Sequence, residues 1–435
     1  MSLTAPHAPP AGRITPRQVA AAVAGNALEF YDFTVYATFA SQIGAAFFPA
    51  KTAFVSLILT LATFGVGFLL RPLGAVVIGR FADRRGRRGA MLLSFTIMGL
   101  SILGLALTPS YAQIGPAAPV LVLIWRLGQG FGLGGEVGST TAFLVEAAPV
   151  EARGLYAAWQ GGSQNIANLV GAGVGLAFTS FAGAAALESW GWRTAFLLGA
   201  LALPFGLILR RALPETLHRK EEPSPHQARS ATLAAGAPVL FKGLALIASS
   251  TISTYVFAYL TTYAIKTLHM PTGAALGATA VSGACGLAGG LIGGVLADRI
   301  GRRALMIWPR LVFLLATWPV FWLIVARHDA VSLLIGTAIL TFSSALSTSA
   351  VFVGLAESLR KEVRVVGMGA VYALAVAIFG GTTQPILAAL VHFTGDPLSV
   401  AWYTMAATFV GLIASFAMSE TLPRPPTVEA VIPSV

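Results

Sequence analysis

Long apolar runs alternate with short polar breaks along the whole chain. Twelve of these runs reach the roughly 20 residues that a bilayer-spanning helix needs. They cover 18–48, 53–79, 90–109, 117–146, 154–182, 190–212, 240–266, 274–297, 304–326, 331–356, 365–393 and 398–419. Apolar residues follow one another continuously inside each run. Strands of a membrane barrel would alternate apolar and polar positions instead. The pattern therefore predicts an all-α membrane protein with twelve transmembrane helices. The polar breaks divide it into an N-terminal segment (1–17), a six-helix bundle (18–212), a linker loop (213–239), a second six-helix bundle (240–420) and a tail (421–435). The first apolar run is too long for a signal-peptide core and lacks a clear cleavage site, so it reads as an uncleaved first helix.

The polar breaks repeat. Residues 79–88 read G-R-F-A-D-R-R-G-R-R and residues 294–303 read G-V-L-A-D-R-I-G-R-R. Glu146 and Arg153 recur as Glu357 and Arg364, and Glu215-Thr216 recurs as Glu420-Thr421. The spacings are all close to half the chain, so the chain reads as two related halves in tandem. Repeats of this kind in a membrane protein point to transport at the interface between them.

Composition agrees. Charged residues make up 10%, apolar ones 56%, and mean hydropathy is +0.77, against about 25% charged residues in soluble domains. With both termini in the cytoplasm, 21 of the 28 Lys and Arg fall on the cytoplasmic side. Only Lys51, Arg193, Lys266 and Arg327 fall outside, an asymmetry that sets the orientation. The net charge of +11 is thereby a topology signal, with no aromatic interleaving of the nucleic-acid-binding kind. Cys285, the single cysteine, lies among glycines and alanines and reads as packing. The tail has no heptads.

Several segments carry a family resemblance. The loop G-R-F-A-D-R-R-G-R-R and its repeat resemble the loop motif of the major facilitator superfamily, over nearly the whole chain. G-N-A-L-E-F-Y-D-F (25–33), L-L-R-P-L-G (69–74), R-L-G-Q-G-F-G-L-G-G-E (126–136) and W-G-W-R (190–193) resemble the metabolite–proton symporters within it. A-D-R-I-G-R-R-A (297–304), A-T-W-P-V (316–320), A-I-F-G-G (377–381) and F-T-G-D (393–396) are similar to bacterial citrate–proton symporters. The resemblance implies the major facilitator fold with two pseudo-symmetric halves.

Six charges lie deep in spans: Glu29, Asp32, Arg71, Arg126, Glu136 and Arg310. A charge at a helix centre costs about 2.5–3.5 kcal/mol on insertion scales, so three positive and three negative charges point to a compensated network around a watery cavity. Arg71 lies twelve residues before Asp83, roughly 18 Å along a helix, too deep for routine snorkelling. Arg310 is only seven residues past Arg303, and snorkelling remains open for it. The histidines sit in loops or near helix ends, which leaves carboxylates as proton carriers. Burial and a neighbouring arginine pull a carboxyl's proton affinity in opposite directions. Asp32 or Glu29 is expected to carry the proton with Arg126 as partner, the roles that the resemblance implies for a helix-1 carboxylate and the helix-4 arginine. Glu136 is a further network candidate. A static ion pair is the competing reading.

Three buried arginines favour an anionic substrate, because a guanidinium matches a carboxylate bidentately. Arg71 and Arg310 come from different halves and would be bridged by a di- or tricarboxylate, with Arg126 sharing the duty. Arg71 paired with Glu29 or Glu136 is the alternative. Polar stripes supply the remaining wall. Thr251, Tyr255, Tyr259 and Tyr263 recur every four residues, as do Gln160, Gln164 and Asn168, each placing one face on a cavity. Asn26, Gln160, Gln164, Tyr259 and Tyr263 are the expected substrate contacts. Ser343, Ser344, Ser347 and Gln384 are read as interhelical hydrogen bonds.

The repeated loops are the expected cytoplasmic gate. The resemblance implies that Asp83 caps a helix of the opposite half, favoured by the positive end of that helix's dipole. Arg84, Arg87, Glu146 and Arg153 form one charge cluster, and Asp298, Arg299, Glu357 and Arg364 its second copy. The chain is thus expected to be a bacterial inner-membrane transporter, working as a monomer in the bilayer. It would symport a citrate-like organic anion with a proton, sodium being possible as coupling ion. No P-loop, metal cluster or activated nucleophile points to an enzyme or a cofactor. Uptake of a shikimate-like acid or a zwitterionic osmolyte, and export, are the competing readings.

Overall fold

The computed structural model describes residues 16–85, 87–134, 148–149, 152–211, 237–359 and 361–422. Every regular element among them is a helix. The first half contributes α1 (Pro16–Thr38), α2 (Ala40–Phe47), α3 (Ala53–Leu69), α4 (Arg71–Arg85), α5 (Arg87–Leu107), the short α6 (Tyr111–Ile114), α7 (Ala117–Leu133), α8 (Arg153–Ala186) and α9 (Trp192–Arg211). The second contributes α10 (Ala237–Lys266), α11 (Thr272–Ile300), α12 (Arg302–Arg327), α13 (Ala330–Ser358), α14 (Lys361–Ala375), α15 (Gly381–Thr394) and α16 (Ser399–Phe416). Eight helical segments among the described residues are long and apolar enough to cross a membrane, and Leu92–Leu107 and Ala117–Leu133 are shorter apolar helices. With α1–α2 and α9 at the first and sixth positions, every predicted span falls on a helix.

Three spans expected to be continuous are broken. The first divides at Phe39, and the second at Leu70. Pro72 accounts for the second break: it has no N–H to give, and its ring crowds the carbonyl four residues back. The break leaves Arg71 at the start of α4, where it is buried. The eleventh span contains a π-helical turn, Val376–Gly380, between α14 and α15.

The outer face is apolar. Leu69, Phe181, Leu201, Phe241, Trp308 and Leu315 are all more than half exposed. A patch of that extent would drive aggregation in water. The W-G-W-R motif ties the outer ends of α2, α5 and α9 together. Trp192 is fully buried and meets Phe47 and Phe196 edge-on. Arg193 stacks on Trp192 and donates to the Thr108 carbonyl at 2.8 Å.

The halves meet chiefly along two helix pairs, α8 with α11 and α3 with α15, and α1 lies against α10 beside them. The half repeat maps α3 onto α11 and α8 onto α15, so each pair is the other's image. At one end of the bundle Phe54 stacks on His392 with ring centres 3.7 Å apart, and Phe393 packs edge-on against it. The other end is held by the charged loops described below. Contacts on both sides leave a space enclosed between the halves.

Candidate functional site

That space is a cavity of about 150 Å³, room for a small metabolite. Its polar wall comes from both halves: Thr34, Gln164, Asn165 and Asn168 from the first, Thr251, Tyr255, Ser344 and Tyr372 from the second. Phe33, Phe64 and Phe257 supply apolar wall. Thr34 donates to Asn168 Oδ1 at 2.7 Å, which fixes α1 against α8 at the cavity edge.

A buried charge cluster lies directly behind this wall. The side chains of Asp32 and Arg126 are both fully buried, and Arg126 Nη1 stands 3.4 Å from Asp32 Oδ2. Arg126 also donates to Gln129 Oε1 and to the Phe64 carbonyl. Its guanidinium lies over the rings of Phe33, Tyr36 and Phe64 at 4.7, 4.4 and 5.0 Å. Arg71, 3% exposed, lies over Phe33 at 5.0 Å and Phe68 at 4.4 Å. Phe33 therefore separates the two guanidiniums and lines the cavity at the same time. Its electron-rich face suits a cation and keeps two like charges apart. Asp32 Oδ1, Arg126 Nε, and Nε and Nη2 of Arg71 are buried without a hydrogen-bond partner. Such atoms in a native site call for a functional explanation. Tyr372, on the cavity wall beside Gln164, lies in the electrostatic reach of Arg71, so Arg71 stands next to the cavity at that hydroxyl.

Close backbone packing builds this arrangement. A Cβ on Gly130 would stand 1.5 Å from the Gly67 carbonyl oxygen. The glycine-rich run 126–136 thus lets α7 press against α3 and carries Arg126 into the bundle centre.

The structure corrects several expected contacts. Asn26 donates to Ser163 Oγ at 2.5 Å and to the Gln160 carbonyl at 3.4 Å. Asn26 thereby joins α1 to α8, and neither it nor Gln160, whose own side-chain amide is buried without a hydrogen-bond partner, lines the cavity. Tyr259 and Tyr263 pack in the apolar core of the second half, where the Tyr263 hydroxyl donates to the Pro397 carbonyl at 3.0 Å. A four-residue repeat drifts around a 3.6-residue helix, so Thr251 and Tyr255 face the cavity and the two outer tyrosines do not. Arg310 is buried in a side chamber that shares Ser250, Ser344 and Thr348 with the cavity wall. Gln164 lies on the wall as expected. Glu136 and Glu146 lie outside the described residues, as do the side chains of Glu29, Asp83, Arg84, Arg87 and Arg364.

The second repeated loop forms a complete latch. Asp298 accepts hydrogen bonds from the Gly154 and Leu155 N–H groups at 2.9 and 3.2 Å. These are the first free amides of α8, in the opposite half, where the helix dipole favours a carboxylate. Arg302 pairs with Asp298 at 3.1 Å and with Glu357 at 3.1 Å, and Arg153 reaches Glu357 at 3.9 Å. Arg299 was the expected member, but it is exposed; Arg302, 1% exposed, takes its place. The glycines of the motif follow from the same geometry. A Cβ on Gly294 would stand 2.6 Å from the Gly154 carbonyl oxygen, and Gly301 holds φ +104°, which disfavours any side chain. Asp298→Ala should leave the protein folded and weaken the closed latch roughly tenfold, the effect of a lost helix cap of about 1–2 kcal/mol. Uptake in proteoliposomes at equal incorporation reads it, and unchanged uptake would remove Asp298 from the gate.

Glu420 explains the repeated Glu-Thr pair. Its carboxylate accepts from the Arg302 and Arg303 N–H groups at 2.9 and 3.0 Å and so caps α12, while Thr421 donates to Glu357 at 2.8 Å. Burial raises the Glu420 carboxyl's pKa, but the backbone N–H bonds from Leu422, Arg302, Arg303 and Thr421 outweigh it and hold the pKa below the usual carboxylate range. A depressed folded pKa contributes stability above the unfolded value that is lost as pH falls through the folded one. The stability advantage of wild type over Glu420→Gln, whose cap does not titrate, should therefore be present at neutral pH and shrink as pH falls through the carboxylate range, read by denaturant unfolding followed by tryptophan fluorescence. An advantage that is absent at neutral pH or independent of pH would count against the cap.

Comparison with known proteins bears on this architecture. The chain matches the Major Facilitator Superfamily over residues 22–382. It is 38% identical to a citrate–proton symporter of Salmonella typhi over 404 residues, covering 92% of this chain and 93% of that protein. It is 37% identical to a citrate–proton symporter of Klebsiella pneumoniae, covering 90% of this chain and 89% of that one. Among solved structures it resembles a D-xylose–proton symporter with TM-score 0.72 at 19% identity, covering 94% of this chain and 98% of the other; this likeness concerns the fold alone. Helices at every predicted span, helix pairs that exchange under the half repeat, and these matches together establish that the chain belongs to the Major Facilitator Superfamily.

Proposed function

We propose that the protein imports a di- or tricarboxylate of the citrate class together with protons, by alternating access at the cavity between the halves 18–212 and 240–420. The observation that carries this reading is the buried Arg71 guanidinium beside the cavity, whose Nε and Nη2 have no hydrogen-bond partner. Arg126 is paired with Asp32. The unpartnered Arg71 attracts an anion into the cavity. A proton on Asp32 removes the negative charge and strengthens that attraction; by linkage, a bound anion favours the proton on Asp32 to the same degree. Mutual assistance of this kind is what symport requires. The two citrate–proton symporters to which the chain is similar support the substrate class.

Arg71 is the first substrate ligand, because two of its N–H-bearing nitrogens are buried and unpartnered. Gln164, Tyr255 and Tyr372 complete the wall beside it. Phe33 must swing aside for a carboxylate to meet the guanidinium, and the same movement admits water to Asp32. Glu29 and Glu136 extend the network. The Asp298 latch and its counterpart at Asp83, with Arg84, Arg87, Glu146, Arg153 and Arg364, open and close the cytoplasmic side. The molecule works as a monomer in a bacterial inner membrane, with lipid against its apolar faces and both termini in the cytoplasm, as the basic residues indicate. The coupling ion is the proton.

Uptake of labelled citrate into proteoliposomes tests the reading. Flux should rise under an inward proton gradient and be indifferent to replacing sodium with choline. Unlabelled 2-oxoglutarate, shikimate and glycine betaine serve as competitors. Flux of one of these in place of citrate would overturn the tricarboxylate assignment, and sodium dependence would overturn the coupling ion.

A further inference from the structure

Arg310 poses a separate problem of charge. It sits on α12, 4% exposed, and among the described residues it hydrogen-bonds only to neutral oxygens. Nη1 donates to the Gly411 carbonyl at 2.8 Å and to Ser415 Oγ at 2.9 Å, and Nη2 to Ser250 Oγ at 3.2 Å. Among the described residues no carboxylate pairs with it. Asp32 faces Arg126, Asp298 and Glu357 face Arg302, and Asp329 and Asp396 bind loop amides. A buried cation without a counter-charge is strongly disfavoured in a low-dielectric interior.

The surroundings supply what a small anion needs. Arg310 lines a chamber of about 10 Å³, about the volume that one water-sized species needs. Ser249, Ser250, Ser344 and Thr348 border it. Thr348 spends its hydrogen on the Ser344 carbonyl. The hydroxyls of Ser249, Ser250 and Ser344 donate to no protein acceptor among the described residues, and Ser250 already accepts from Arg310, so its own hydrogen is left to point elsewhere. A guanidinium flanked by three free hydroxyl donors is a coordination shell for an anion. Ser250, Ser344 and Thr348 also border the central cavity, which gives the ion its route in. A carboxylate group, with three heavy atoms, exceeds the chamber.

We propose that the Arg310 chamber is a binding site for one small monovalent anion of the halide class, chloride under ordinary conditions, which neutralises Arg310 from within the second half. The site is independent of the substrate reading.

The test uses the purified full-length protein in nanodiscs, with sodium gluconate replaced stepwise by sodium chloride or bromide at constant ionic strength. The readouts are the thermal unfolding midpoint and the 35Cl NMR linewidth. Wild type should show a saturable rise in midpoint with either halide and a chloride line broadened by exchange. Both effects should vanish in Arg310→Met. Should that variant fail to fold, Ser249→Ala/Ser344→Ala keeps the charge and should weaken halide binding roughly tenfold, the effect of losing hydroxyl bonds to a charged group. Halide effects that are absent in wild type, or equal in wild type and both variants, overturn the site. Repeating the titration with saturating citrate separates the two sources of negative charge. An unchanged halide response supports a free ion, and competitive loss of it assigns the chamber to a substrate carboxylate and overturns the halide.

Discussion

Asp32→Asn should abolish uphill citrate accumulation while citrate exchange between the two sides of the membrane persists. Asparagine has the shape of the protonated carboxyl and no proton to release. One coupled proton moving down a gradient of one pH unit supplies about 1.4 kcal/mol, enough for a roughly tenfold accumulation. The variant should fall from that ratio to simple equilibration, and counterflow of labelled against unlabelled citrate should continue. Gradient-driven accumulation that survives in Asp32→Asn would move the coupling to Glu29 or Glu136. The expectation rests on the pair itself. Both side chains are fully buried, and no other described carboxylate pairs with Arg126.

Arg71→Gln is the second large effect. A hydrogen bond to a charged group contributes about 1.5–3 kcal/mol, which is roughly a tenfold to hundredfold rise in the citrate concentration for half-maximal uptake. Arg71→Lys keeps the charge but loses the planar fork that matches a carboxylate, and should fall between the two. Ground-state binding rather than maximal flux should change, because the ligand meets Arg71 before the halves move. Unchanged half-saturation with reduced protein in the membrane would mean that Arg71 only supports Phe33 and Phe68 through its stacking.

The latch shows how far sequence reading reaches and where it stops. The repeat pointed to Asp298 and Glu357 because the motif occurs twice, and it named the loop as a gate. It could not choose between Arg299 and Arg302. Both are arginines one turn or less from Asp298 in sequence, and the choice depends on Gly301 turning the chain at φ +104° so that Arg302 opens α12 and faces inward. Glu420 was visible as an echo of Glu215 without a role. Its role needed the end of α16 to arrive beside the start of α12.

The cavity residues divide in the same way. Charges inside apolar runs are rare enough to stand out, so Asp32, Arg71 and Arg126 could be picked directly from the chain. Gln164 and the Thr251–Tyr255 face followed from helical spacing. Phe33 and Tyr372 carried no such signal, because aromatic residues are common in every span. They matter through position: one ring that both guanidiniums stack on and one hydroxyl on the cavity wall close to Arg71. A stripe of polar residues at every fourth position likewise marks a polar face, but the stripe drifts around the helix, so Tyr259 and Tyr263 turn into the apolar core and away from the cavity.

The sequence alone determined that the chain forms long apolar helices of membrane-spanning length, repeats in two halves and carries charges inside them. Those properties depend on length, hydropathy and local period, each of which is written in consecutive residues. The tertiary structure decided which buried charges meet, which glycines let α3 touch α7 and α8 touch α11, and which arginine closes the latch. Contacts of that kind join residues 55 to 144 positions apart. Their energy depends on distances of an ångström, which only the packed bundle sets.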